Sequence, residues 1–209
     1  SGGTYVSGTG TTSLVVSGVV TDNDGYEKLA FSADGYIAYT SEIGKLTVIE
    51  LLTPFDILSY DTHYLYTWGT TDTAEFNGDG SIMYLKGIYN TGYVKSYSTS
   101  NFVYDVSNFI AQYNYAFTEV GASTQSRSMT ITPDGRKIIM IGSTTAARYY
   151  FQIDLSTPFD LTTASYNNKY YIYDSTNEFS VLFNVTFSLD GSWMFVSSYL
   201  GCVKYAITL

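Results

Sequence analysis

A five-residue turn recurs four times in this chain, each time between short β-type runs. It reads Phe31-Ser32-Ala33-Asp34-Gly35, Phe76-Asn77-Gly78-Asp79-Gly80, Ile131-Thr132-Pro133-Asp134-Gly135 and Phe187-Ser188-Leu189-Asp190-Gly191. An Asp-Gly pair between alternating runs predicts a hairpin: Gly takes positive φ without a Cβ clash, and Asp caps nearby backbone N–H groups. The turn glycines Gly35, Gly80, Gly135 and Gly191 lie roughly 45 to 56 residues apart, the interval expected of a four-stranded repeat.

The first unit shows the order. Lys28 to Ser32, Tyr36 to Thr40, Lys45 to Leu51 and His63 to Trp68 read as four strands, with a loop around Thr53-Pro54-Phe55-Asp56 before the last. The third unit echoes that loop as Thr157-Pro158-Phe159-Asp160, whereas the second has Thr99 to Asp105 and no Pro. No segment reads as a convincing helix. The fourth unit supplies Leu182 to Ser188, Trp193 to Ser197 and Cys202 to Leu209, one strand fewer than the others.

These readings predict an all-β, four-bladed β-propeller over residues 13–209, preceded by a Gly/Ser/Thr-rich arm at 1–12. The blades fall at about 26–70, 71–121, 124–175 and 178–209. The β-branched run at 13–20 is expected to close the ring against the last blade, removing an open edge; the same strand could instead complete a neighbouring subunit. The chain opens Ser1-Gly2-Gly3 with neither Met nor signal peptide, as a processed form or an excerpt would.

The turns at Phe31–Gly35 and Phe187–Gly191 resemble the Phe-Ser-Pro-Asp-Gly turn of bacterial and viral β-propeller repeats. Tyr150 to Ala164 is similar to a blade element of phage and bacterial-surface repeat proteins. The resemblance spans residues 26–209. It implies a structural or adhesive component of a virion or cell surface, extracellular or virion-associated, acting through protein partners or self-assembly.

Composition narrows the function further. The formal net charge is −9, from 19 acidic and 10 basic residues, and the only adjacent basic pair is Arg136-Lys137. Gripping phosphates takes clustered Lys and Arg, so nucleic-acid binding is not expected. No apolar run approaches the roughly 18 residues of a membrane helix. The single cysteine, Cys202, sits in a strand-like run and is read as a small buried hydrophobe.

Chemistry-bearing candidates are few. The turn aspartates Asp34, Asp79, Asp134 and Asp190 are read as turn caps rather than a cation-binding ring. Asp22, Asp24 and Glu27 have oxygens at a spacing reminiscent of a calcium loop, the one cofactor considered, without its distal Glu. His63 is the only histidine, no Gly-x-Ser-x-Gly elbow occurs, and the acids Glu42, Glu50, Glu75, Glu119 and Glu178 are scattered. A non-catalytic chain is therefore expected; a propeller hydrolase would need a carboxylate cluster in the central channel. Tyrosine is the loudest signal, 22 of 209 residues. Rings with a polar tip suit protein interfaces and sugar faces alike. Tyr64, Tyr66, Tyr149, Tyr150, Tyr171 and Trp193 are the candidate contacts for a protein or, alternatively, a glycan. The sequon Asn184-Val185-Thr186 lies inside a predicted strand and is read as chance.

Overall fold

The computed structural model describes residues 15–16, 19–20, 28–42, 44–67, 71–87, 92–100, 102–115, 125–143, 148–171, 182–188, 191–198 and 201–206. The short β1 (Val15–Val16) and β2 (Val19–Val20) pair with each other. Blade one is β3 (Lys28–Phe31), β4 (Ile37–Glu42), β5 (Lys45–Leu51) and β6 (Tyr60–Thr67). Blade two is β7 (Thr71–Phe76), β8 (Ile82–Gly87), β9 (Tyr93–Ser98) and β10 (Phe109–Asn114). Blade three is β11 (Gln125–Ile131), β12 (Lys137–Ser143), β13 (Arg148–Leu155) and β14 (Ala164–Tyr171). The described residues of blade four form three strands, β15 (Leu182–Phe187), β16 (Trp193–Ser198) and β17 (Gly201–Ala206). Every blade is an antiparallel meander, and together they make a four-blade propeller arrangement.

Blades one, two and three stack face to face in sequence, and blade four packs on blade three, which explains why the covered second strands are apolar without alternation. A strand buried on both faces has no solvent side to reserve for polar residues. In β12, Ile138 and Met140 pack into a core shared with Tyr84 and Val94 of blade two. The intervening Ile139 and Ile141 pack on Val185, Met194 and Val196 of blade four. Blade one turns Ile37 and Tyr39 toward Phe76, Met83 and Leu85 of blade two. Its other face buries Ala38, Ile49 and Leu51.

Two expectations need correction. The run at 13–20 is not one strand: within it, the described residues form the two-residue β1 and β2, paired together and not with β17. Cys202 is exposed. It faces Ser197 across the β16–β17 ladder, on the opposite side of the sheet from the Met194–Tyr205 pair that packs on blade three. Strand alternation alone could not tell a covered blade face from an uncovered one.

Candidate functional site

The described residues of the four turns share one hydrogen-bonding scheme. In each, a small polar side chain three residues before the Gly accepts from the backbone N–H five residues further on. The bonds are Ile37 N to Ser32 Oγ at 2.9 Å, Ile82 N to Asn77 Oδ1 at 2.9 Å, Lys137 N to Thr132 Oγ1 at 3.0 Å and Trp193 N to Ser188 Oγ at 3.0 Å. The glycines sit at φ 77°, 69°, 70° and 70°. The Asp34 carboxylate accepts from Ser32 Oγ and Tyr36 N, and Asp134 accepts from Thr132 Oγ1 and Arg136 N. Asp79 accepts from Ser81 N. The Ser32 hydroxyl and then the Tyr36 amide hold Asp34 below the usual carboxylate range, as Ser81 does for Asp79. Burial pushes Asp134 the other way, yet the Thr132 and Arg136 bonds keep it low as well. Asp190 lies outside the described residues.

Sequence reasoning missed what rests on these turns. Phe55, Phe102 and Phe159 are the described non-glycine residues at positive φ, at 60°, 65° and 63°. Each donates its N–H to the carbonyl of its blade's turn glycine, at 2.8, 3.3 and 2.8 Å. Each ring also lies on that glycine so closely that an added Cβ would come within 2.4, 2.3 and 2.5 Å of it. The strained phenylalanine plugs the turn, linking the loop before the fourth strand to the hairpin of the first two. A single 3-10 turn follows in each case, at Ile57–Ser59, Val106–Asn108 and Leu161–Thr163, capped by Asp56, Asp105 and Asp160. These turns replace the continuous loop expected from sequence. Blade two lacks the Pro and differs in its loop, with a Ser100–Val103 bridge, but keeps the plug.

Just inside the turns, the ends of the four innermost strands line a solvent-open cavity of about 340 Å³. Its walls come from every blade: Ala30 and Phe31 from β3, Glu75 and Phe76 from β7, Thr130 and Ile131 from β11, Thr186 and Phe187 from β15. Tyr39, Phe102 and Phe159 also line it. Glu75 is the only charged residue among the described lining groups, and it is 8% exposed. The Tyr39 hydroxyl donates to Glu75 Oε1 at 3.4 Å. Burial pushes the Tyr39 phenol up to about 12, which keeps it a donor through neutral pH.

A second feature lies on the outer strands. Tyr66 of β6 meets Tyr104 edge-on at 5.8 Å, Tyr104 meets Tyr97 at 5.2 Å, and Tyr97 meets Phe109 at 5.7 Å. This aromatic chain joins the rims of blades one and two. Burial, then neighbouring Tyr97, pushes Tyr104 up to about 12. Leu52, Leu58, Leu65, Val106 and Phe109 are also exposed on blades one and two, Leu65 on the face of β6 opposite Tyr66.

The candidate contact residues are not brought together. Tyr64 is exposed and Tyr66 half-buried on β6, while Tyr150 of blade three stacks on Tyr170 at 4.9 Å. Tyr149 is buried in the core between blades two and three, so it is no surface contact. Trp193 is 36% exposed on blade four, with Lys204 Nζ 3.4 Å from its ring centre. Tyr171 belongs to β14, and its side chain lies outside the described residues, as do Asp22, Asp24 and Glu27. Among the described residues no group of three potential metal ligands occurs, and no helix is long and apolar enough to cross a membrane. His63 is exposed on β6. Asn184 is half-buried on β15, where its Oδ1 accepts from Ser128 Oγ at 2.7 Å.

No protein-family model and no curated protein sequence matches the chain. Solved structures do. It is similar to a putative 6-phosphogluconolactonase from Bacteroides fragilis, with 14% identity, a TM-score of 0.53, and coverage of 82% of this chain and 47% of that one. The periplasmic gluconolactonase PpgL of Pseudomonas aeruginosa gives 13% identity and a TM-score of 0.52, over 86% and 49% of the two chains. A chain of a mitotic checkpoint complex gives 8% identity and a TM-score of 0.50, over 86% and 49%. The chain thus spans about half the length of these structures. Identities this low establish the propeller fold alone.

Proposed function

We propose that this chain is a non-catalytic binding module working through protein contacts at the outer rim of blades one and two, as a structural or adhesive component of a virion or cell surface. The repeat, compared with itself, carries this reading. Blades one and three match in ladder register on both sides of a bulge that falls two residues apart in the two: Leu51 pairs with Tyr60 as Leu155 pairs with Ala164, and Thr47 with Leu65 as Phe151 with Lys169. Blade three forms the same loop and outer strand with Ser156, Thr162 and Lys169 where blade one has Leu52, Leu58 and Leu65. These leucines are 68%, 80% and 59% exposed. The fold does not require them to be apolar, and their exposure is what an interaction surface would use. The single described carboxylate in the channel cavity supports the non-catalytic part, since general acid–base hydrolysis of glycosides takes a pair.

A photo-crosslinking residue placed at Leu65 in the producing host tests this, with Lys169 as the control position. A discrete crosslinked protein is expected from position 65 and not from 169, and it should vanish in the Leu52→Ser, Leu58→Thr variant. Crosslinking that is absent, or equal at both positions, refutes the rim as a protein contact. Turnover of a lactone, ester or glycoside panel, lost on Glu75→Gln, refutes the non-catalytic reading.

A further inference from the structure

In blades one to three a fourth strand lies outside the third. The described residues of blade four form no such strand, and among them β17 pairs with β16 alone. Trp193 turns both backbone groups toward Ser188, its N–H to Ser188 Oγ at 3.0 Å and its carbonyl to Ser188 N at 2.9 Å. Along a middle strand successive residues bond to opposite sides, so Met194 and Val196 bond to their partners Tyr205 and Val203. Cys202, Lys204 and Ala206 therefore point their N–H and C=O groups outward, and their side chains are exposed as well. Such a row of backbone groups is a template for a further strand. The charge that would guard it is folded back: Lys204 Nζ lies 3.4 Å from the Trp193 ring centre.

Blade three supplies a floor for that strand. Leu51, Thr99 and Leu155 hold one place in blades one, two and three, each donating its N–H to the carbonyl of the residue after the turn glycine. Earlier on the same strands, Leu46, Val94 and Tyr150 pair across the ladder with Tyr66, Tyr113 and Tyr170. One tyrosine thus recurs on all three fourth strands. Tyr66 is met edge-on by Tyr104 of blade two. Tyr113 packs on the core shared by blades two and three, as do Ala164 and Tyr166 of β14. Tyr170 stacks on Tyr150 of its own blade and is 37% exposed. Tyr150 packs with Tyr205 of β17 on the core between blades three and four, so that interface runs up to the exposed tyrosine.

We propose that the outer edge of β17 and Tyr170 form an acceptor groove for an extended segment of a partner protein, which joins blade four as its fourth strand. Main-chain bonds give the affinity and the contact at Tyr170 the selectivity. The other blades define the segment's chemistry: an aromatic or aliphatic side chain toward Tyr170, as Tyr104 meets Tyr66, in a strand of six to eight residues like β6, β10 and β14. A second copy pairing through its own β17 about a two-fold axis would carry its blade three to the same side of the sheet, beside β14; a lone strand does not. This contact is separate from the rim of blades one and two and does not rest on it.

A labelled peptide of residues 160–171, which carries β14 with Ala164 and Tyr166, serves as the probe strand. Fluorescence anisotropy is expected to give a dissociation constant of about 100 μM or tighter, and Tyr166→Ser in the peptide should weaken it about tenfold. Lys204→Pro removes one outward N–H and leaves the bonds to β16 in place, as proline does on edge strands; it should weaken binding about tenfold or more, and Tyr170→Ser several-fold. In the unaltered protein, amide exchange read by NMR should be fast at Cys202, Lys204 and Ala206 and slow once peptide saturates, which locates the strand whether or not either variant folds. No binding at about 1 mM peptide, binding untouched by Lys204→Pro in a folded variant, or protection at another edge overturns the proposal. So does protection of those three amides in the monomer without peptide, or self-association through β17, which would give the groove to a second copy. None of these outcomes bears on crosslinking at the rim.

Discussion

At each Asp-Gly turn two demands fall on one glycine. Gly80 has φ 69°, and a Cβ there would lie 2.3 Å from the Phe102 ring; Gly78, two residues earlier, has nothing within 4 Å. Gly80→Ala is therefore expected to cost about 1–3 kcal/mol, and Gly78→Ala less than about 0.5 kcal/mol. Denaturant unfolding of both variants checks this, and equal effects would dismiss the plug. The turn carboxylates set a pH dependence. Asp34, Asp79 and Asp134 are all held below their ordinary values. Their contribution is complete above the unfolded value of about 4 and disappears as pH falls through the lower folded values. Thermal unfolding between pH 7 and 2.5 should show that decline, shallower in an Asp34→Asn, Asp79→Asn double variant. The Asp-Gly pairs were visible in the sequence. The plug was not, because nothing local announces a phenylalanine at positive φ; its one trace was the Pro-Phe-Asp loop repeated at Phe55 and Phe159.

Among elements, strand identity was legible and strand ends less so. The fourth strands begin at Tyr60 and Ala164, earlier than the readings from His63 and Tyr166, because a capped 3-10 turn shortens the loop before them. Asp160 caps one such turn by accepting from Thr162 N at 2.9 Å. Asp160→Ala should destabilise by about 1 kcal/mol, with amide exchange rising first at Leu161–Thr163. Loss of protection spread evenly over blade three would mean the turn is not a separate unit. Bulges at the start of β7, β11 and β15 also escaped the sequence reading. Each lies within the first three residues of its strand, so the alternation of the remaining residues carries no sign of it.

For the whole molecule, the open question of construction is blade four. Its described residues form three strands, and on its far face Cys202, Lys204 and Ala206 are exposed beside Trp193. An uncovered edge invites strand addition from another chain. If residues 1–20 protect that edge, their deletion should produce aggregation measurable by light scattering. A deletion variant that stays monomeric and equally stable would rule out protection by the N-terminal segment, within a chain or between chains.

By itself the sequence determined the all-β class, the four-unit repeat and the turns that punctuate it, because strand alternation and Asp-Gly hairpins are local properties. Tertiary structure decided which faces are covered: it buried Tyr149, exposed Cys202 and set Glu75 of the second blade in a cavity walled by all four. Those outcomes depend on how neighbouring blades pack, and residues far apart in sequence settle that together.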